Sequence, residues 1–211
     1  INNKKVIDFG CGDGGFLKYI SKIVKVADGI ELEKAMHHSY LERKLNVYSS
    51  YKKAAQSSKK WDILTAFHVV EHLADPKTML LKLSKLLNRN GKIIIEVPNS
   101  EDALLTLYKN KAFQNFTYWS QHLYLFNIKN LKELAKQIKL KVEWTKHVQR
   151  YSLANHLFWL SEGKPGGHNV WKFLNKVSLE IGQFIKPIIF LFFTKSKTFP
   201  KQLRIYLFDL V

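Results

Sequence analysis

The ten residues from Val6 to Gly15, VIDFGCGDGG, constrain this chain more than any other stretch. An apolar run carrying an acid, Asp8, gives way to glycines at positions 10, 12, 14 and 15, after which Phe16, Leu17, Ile20 and Ile23 fall at helical spacing. A strand that enters a helix through a glycine loop is one unit of a parallel sheet, because parallel neighbours need a crossover between them. Glycine lets the loop take positive φ and approach a ligand closely, and the free N–H groups opening the helix favour a carboxylate or phosphate. Glu31 lies 19 residues beyond Gly12, at the end of the next apolar run, where a carboxylate can accept two hydrogen bonds from a ribose diol. Gly10, Gly12 and Gly15 also fit G-x-G-x-x-G, which keeps a dinucleotide enzyme in play.

The alternation of strand and helix signals continues to about residue 147. Lys4–Phe9, Val26–Glu31, Trp61–Phe67 and Lys92–Val97 read as strands, and Phe16–Val24 and Glu33–Leu45 as helices. Asp75 and Pro76 open a further helix with a leucine stripe from Leu80 to Leu87, and Asn127 caps one carrying Leu131, Leu134, Ala135 and Ile138. The expected fold is an α/β, Rossmann-like sandwich with a mostly parallel seven-stranded sheet whose last strand is reversed, plus a C-terminal helical appendage. Residues 1–150 form the ligand-binding domain, with an aromatic-rich lid inserted at 100–126 over the carboxyl edge of the sheet. Residues 151–211 form an apolar and basic helical appendage that returns a last strand at 203–211, beside Leu140–Trp144. Within it, Ile188–Phe193 followed by lysines fits either a helix packed on the core or a peripheral membrane contact through 181–201.

The chain has 211 residues with 46% hydrophobic and 24% charged, which excludes a disordered tail. Its one cysteine, Cys11, cannot form an internal disulfide, so a reducing, cytoplasmic setting is expected, with membrane association as the alternative. The net charge of +17 is carried almost wholly by lysines; only Arg43, Arg89, Arg150 and Arg204 are arginines. Dispersed lysines lack the planar fork that phosphate recognition prefers, so nucleic acid is not the expected partner. No run reaches the roughly 18 apolar residues that span a bilayer. The chain begins at Ile1 with no signal-like segment, and a piece of a longer protein is expected.

Asp8 separates the two cofactor readings. An acid two residues before the first glycine repels a pyrophosphate and suits a ligand bearing an ammonium group, such as the amino-acid end of S-adenosylmethionine. Together with Glu31 in DGIELEKA, the block WDILTAFHVVEHLADP, the strand GKIIIEVPN and the segment HLYLFNIKNLKELAKQ, the glycine motif resembles the class I S-adenosylmethionine-dependent methyltransferases. The resemblance runs from about Lys4 to His147 and looks nearest to bacterial small-molecule methyltransferases related to the ubiquinone-pathway O-methyltransferases. It implies a Rossmann-like methyltransferase sandwich with S-adenosylmethionine as cofactor. By position it places Asp8, Gly10, Cys11 and Gly12 around the methionine moiety, Glu31 on the ribose, and Phe67 and His68 along the cofactor. It departs from the family at three places. The segment near Tyr48 lacks an aspartate that contacts adenine, which leaves Ser49 or Ser50 to substitute. Lys139 stands where glycine is common, and the helices that usually precede the first strand are absent.

Methyl transfer from a sulfonium is an in-line displacement, so the protein supplies alignment and at most one base. His68, beside the expected methyl position, and His122, in the lid segment YWSQHLYLF, are the catalytic candidates. Phe116, Tyr118 and Trp119 are expected to wall a pocket for a small-molecule acceptor. The acceptor atom is an oxygen or nitrogen, and a sugar or lipid-linked intermediate fits the weak likeness of RYSLANHLFWLSEGKPGGH to methyltransferases of surface-polysaccharide systems. HVVEH, residues 68 to 72, also matches the H-x-x-E-H pattern of zinc peptidases. That reading needs His68 on a helix, where the sequence reads as strand, so no residue is assigned as a metal ligand; the resemblance to ubiquinone-pathway enzymes, which can use a divalent ion near Glu71 and His72, leaves the use of an ion open. The remaining alternative is a non-catalytic nucleoside-binding domain that docks a membrane or partner.

Overall fold

The computed structural model describes residues 1–148 and 152–172, and the backbone of 188–194. Seven strands are described: β1 (Lys5–Phe9), β2 (Val26–Ile30), β3 (Asn46–Tyr48), β4 (Trp61–Phe67), β5 (Leu87–Pro98), β6 (Lys141–Val148) and β7 (Ile188–Thr194). They form one sheet in the order β3-β2-β1-β4-β5-β7-β6. The pairs β1 with β2, β2 with β3, β1 with β4 and β4 with β5 are parallel. The chain thus walks outward from β1 to β3 and then returns to lay β4 on the other side of β1. That reversal opens a crevice at the carboxyl ends of β1 and β4, where ligands of such sheets bind.

Continuous apolar runs make these strands, because helices cover both faces of the sheet. Ile7 and Phe9 of β1, Leu64 and Ala66 of β4 and Ile93, Ile95 and Val97 of β5 bury one face against Leu80, Leu83 and Leu86 and against Leu131, Ala135 and Ile138. Val6, Ile63 and Ile94 turn to the other face, where Ile20 and Val24 meet them. Asp28 ties three strands together near the outer edge: its carboxylate accepts from Trp61 Nε1 at 2.9 Å and from Asn46 Nδ2 at 2.6 Å. Asn46 opens β3, the neighbour of β2, and Trp61 opens β4, beyond β1, so one buried acid links β2, β3 and β4.

The helices are α1 (Gly15–Ile20), α2 (His37–Glu42), α3 (Tyr51–Gln56), α4 (Pro76–Ser84), α5 (Ala103–Thr106), α6 (Lys111–Thr117), α7 (Ile128–Gln137) and α8 (Leu153–Glu162). Asp75 accepts from Thr78 N ahead of Pro76, and Asn127 and Asn130 cap α7 reciprocally. Lys139 takes φ +57° just after α7, which explains why glycine suits that place. Helices α5 and α6 form the segment between β5 and α7, and α8 fastens them. Asn110 Nδ2 donates to the Trp159 carbonyl at 2.8 Å, and the Phe113 and Phe116 rings lie 5.0 and 5.2 Å from that of Trp159.

The end of the chain differs from the sequence reading. The reversed strand is Ile188–Thr194, inserted between β5 and β6 and antiparallel to both, where a helix or a membrane contact was expected. Its sequence, IIFLFFT, explains the placement: an unbroken β-branched and aromatic run fits a strand flanked on both sides, and it reads equally as an apolar helix face. Residues 203–211 and the rest of 181–201 lie outside the described residues. No helix among the described residues is long and apolar enough to cross a membrane.

Candidate cofactor site

The glycine loop leaves β1 with its backbone already tied to β2. Gly10 N donates to the Ile30 carbonyl at 2.8 Å, and Gly10, Gly12 and Gly14 take φ of +73°, +52° and +77°. Helix α2 closes over the loop from outside: the Tyr40 hydroxyl donates to the Gly12 carbonyl, and Arg43 Nη1 donates to the Asp13 carbonyl at 2.7 Å. A Cβ on Gly12 would meet nothing within 4 Å, so this residue faces open space at the crevice. A Cβ on Gly10 would instead stand 2.4 Å from Val69 Cγ2, because the turn after β4 lies directly against the loop.

Glu31 joins this loop. Its Oε2 accepts from Gly12 N and its Oε1 from Glu33 N, both at 2.9 Å. The carboxylate is therefore fixed beside the glycine turn, with one lone pair on each oxygen left for a diol. Asp8 is buried beneath the loop and accepts from Thr65 Oγ1 at 2.6 Å. Burial, reinforced by the charge of Glu31 and opposed by the Thr65 hydroxyl, pushes its carboxyl up to about 7. A cationic group brought to this crevice would favour the ionised form. Cys11 packs with Leu17 and Tyr40, and burial with the Asp8 charge pushes its thiol up to about 12, so it serves here as a small apolar filler.

Phe67 ends β4 edge-to-face against Phe16 at 5.1 Å. His68 follows in the left-handed region, φ +54°, and its Nε2 stands 2.9 Å from Glu96 Oε1 while Nδ1 is 3.5 Å from Glu71 Oε1. Desolvation opposes a charged ring there, yet the hydrogen bonds and charges of the two buried carboxylates win and push the imidazole up to about 9. His68 thus holds its proton at neutral pH. Its bend, and the single 3-10 turn Val70–His72 behind it, mean that His68 and His72 do not share a helix face as the H-x-x-E-H reading requires. His122, the second candidate, donates from Nδ1 to the Thr117 carbonyl at 2.7 Å and packs 4.9 Å from the His72 ring. Tyr118 and Trp119 are exposed beside it, and Phe116 leans on Trp159. Ser50 caps α3 by accepting from Lys53 N, and Ser49 is exposed.

A pH dependence follows. Asp8 and His68 both bind protons more tightly in the folded chain than in the unfolded one, so each stabilises the acid side. The Asp8 contribution is lost as pH rises from about 4 to about 7, and that of His68 is full below 6.5 and lost through about 9. The melting temperature of the ligand-free chain is expected to fall between pH 7 and 9, with the fall removed in His68→Asn, a residue that tolerates the same backbone. An equal alkaline slope in both proteins would remove the Glu71–His68–Glu96 contact as its cause.

Sequence reasoning missed Thr65, Glu96 and Tyr40, all buried and all holding site residues. Glu96 was visible in principle, as a lone acid inside IIIEV, since a buried carboxylate requires a partner.

A family model described as a methyltransferase domain matches residues 1–143. The chain is 23% identical over 175 residues to the ubiquinone biosynthesis O-methyltransferase of Hydrogenovibrio crunogenus, covering 74% of this chain and 73% of that protein. To its namesake from Pasteurella multocida it is 25% identical over 116 residues, 47% of this chain and 48% of that one. The chain therefore spans from just under half to about three quarters of the length of these curated relatives. Among solved structures, the magnesium protoporphyrin IX methyltransferase of Synechocystis PCC 6803 with bound S-adenosylhomocysteine superposes with a TM-score of 0.59. The two are 13% identical, with 92% of this chain and 76% of that one covered, which is a likeness of fold.

Proposed function

This chain belongs to the methyltransferase domain family and takes S-adenosylmethionine as its cofactor, and from that premise we propose that it moves the sulfonium methyl to an oxygen of a small molecule. The observation that carries the reading is the joining of Glu31 to Gly12 at the switch point of the sheet, with open space beside Gly12 and Asp8 beneath. Glu31 would hold the ribose diol, the loop at Gly10, Cys11 and Gly12 the amino-acid end, and Asp8 the ammonium charge. Phe67 and His68 would border the methyl. The relatives named O-methyltransferases favour oxygen over nitrogen as the accepting atom. A sugar or lipid-linked hydroxyl is the finer proposal, since the exposed Tyr118 and Trp119 offer flat faces to a ring.

Of the two catalytic histidines, His68 carries a proton between two carboxylates and so acts as a cation lining the pocket. His122, in its neutral form, keeps a lone pair on Nε2 because Nδ1–H is spent on the Thr117 carbonyl, so the proton of the accepting hydroxyl would leave on its side. The experiment is transfer of labelled methyl from S-adenosylmethionine to a panel of phenols, sugars and amines. Label in a hydroxyl, lost in Glu31→Ala, supports the reading. Label in amines alone moves the acceptor to nitrogen. Cofactor binding with no transfer to any class, including lipid-linked hydroxyls, supports the non-catalytic nucleoside-binding domain.

A further inference from the structure

The end of α7 carries charge that the cofactor site does not use. Lys132, Lys136 and Lys139 follow at i, i+4 and i+7, which puts them on one face of the helix and its last turn, and Lys141 opens β6 beside them. With Leu140 and Val142, these four lysines line one open hollow of about 500 Å³. Among the described residues no acid lines it, and none of the four lysines makes an ion pair.

The backbone under the hollow is fixed. Lys139 N donates to the Lys136 carbonyl at 3.0 Å and Leu140 N to the Ala135 carbonyl at 2.9 Å, the paired bonds of a helix end that closes through one left-handed residue. That residue is Lys139, at φ +57°, in a place where glycine is at ease. Ile138 and Leu140 on either side of it are buried in the core, so the lysines stand on an anchored turn. The negative end of α7 attracts cations to its last turn, which accounts for Lys136 and Lys139. It does not account for Lys132, one turn back and repelled by Lys136, or for Lys141, which starts a strand. Four like charges around one hollow repel each other unless an anion joins them.

This hollow stands apart from the cofactor crevice. The register runs from Lys141 through Thr194, Lys92 and Ile63 to Val6, so the lysines lie at the amino end of the sheet, whereas the glycine loop follows its carboxyl end. Four strand spacings, about 19 Å, also separate β6 from β1. We propose that the hollow binds a small oligophosphate, free or esterified, that carries about four negative charges to match its four lysines. Lysine meets phosphate as a point charge and needs no planar fork, so the scarcity of arginine is no obstacle here. A lone carboxylate would leave most of the four charges unmatched. Leu140 and Val142 offer an apolar floor for the body of an ester. The lysines that read as dispersed along the sequence are gathered at this point by the fold.

The test is calorimetric titration of the full chain with tripolyphosphate and with uridine triphosphate, without cofactor or acceptor, at low and at physiological salt. One equivalent of either is expected to bind, more weakly at the higher salt. Lys132→Glu combined with Lys136→Glu should weaken binding by about tenfold or more. Lys77→Glu combined with Lys82→Glu, two exposed lysines of α4, makes the same change in net charge and should leave the affinity as it was. Equal affinity for the two probes supports recognition of phosphates alone, and a preference for uridine triphosphate supports use of the apolar floor as well. No binding, or an equal loss in the two double variants, overturns the proposal. Tighter binding of a single-stranded oligonucleotide or of phosphatidylglycerol vesicles through Lys132 and Lys136 overturns it in favour of a polymer or a surface. No readout here involves methyl transfer, so failure leaves the proposed reaction to be judged on its own.

Discussion

Replacing Glu31 by alanine is expected to weaken S-adenosylhomocysteine binding about 100-fold, the largest single effect on affinity in this chain. Two hydrogen bonds from a diol to one carboxylate are worth about 1.5 kcal/mol each at the lower end for charged partners, and about 3 kcal/mol is a little over a factor of 100. The loss has a second source, because the same carboxylate holds Gly12 N and Glu33 N in place. Glu31→Gln separates the two: it keeps one acceptor oxygen and recovers part of the loop's order while losing the charge. Calorimetric titration of the wild type and both variants checks this, with circular dichroism to confirm that the sheet is intact. Equal affinity in all three would mean that the ribose lies elsewhere.

Replacing Gly10 by alanine should cost about 3 kcal/mol of folding stability. A left-handed φ costs an L-residue about 1–2 kcal/mol, and the added Cβ would press on Val69 Cγ2 at 2.4 Å, inside the distance that real Cβ atoms tolerate. For a chain of this length that loss lowers the melting temperature by about 6–12 °C. Val69→Ala in the same chain should return the steric part and leave the backbone part, so the double variant melts between the wild type and Gly10→Ala. If it melts no higher than Gly10→Ala, the strain is purely in φ. Gly12→Ala is the contrast: its φ is also positive, at +52°, but nothing lies within 4 Å, so its effect should fall on ligand binding more than on folding.

Four strands of the parallel half were legible, three of them helped by a signal that follows: Gly10 after β1, Glu31 after β2 and the Asp75–Pro76 helix start after β4; β3, Asn46–Tyr48, lies in a stretch without such a pattern. These are local chemistries; the register between β1 and β4, Val6 with Ile63 and Ile7 with Leu64, comes from the folded sheet. What sequence did not reveal depends on residues far apart. His68 looked like a free base until Glu96, 28 residues on, was found beside its Nε2 at 2.9 Å. His122 read as a catalytic candidate in the lid segment, and nothing in the sequence showed that the fold would bring it beside Glu71 and His72. IIFLFFT carries no polar punctuation, so helix, membrane contact and central strand all fit its composition, and only pairing with β5 and β6 decides.

That pairing also bears on how the protein is made. Strand β5 ends at Pro98 and β6 at Val148, yet the strand that joins them begins at Ile188. A ribosome adding roughly 5–20 residues per second leaves the open side of β5 without a partner for several seconds after β6 has emerged. During that interval the backbone of Ile93–Val97 is a bare template of the kind that recruits foreign strands. The part that matches the family model, residues 1–143, stops short of Ile188 as well. Expressed alone, it would carry that exposed edge permanently, so a minimal domain cut by homology should aggregate where the longer chain does not.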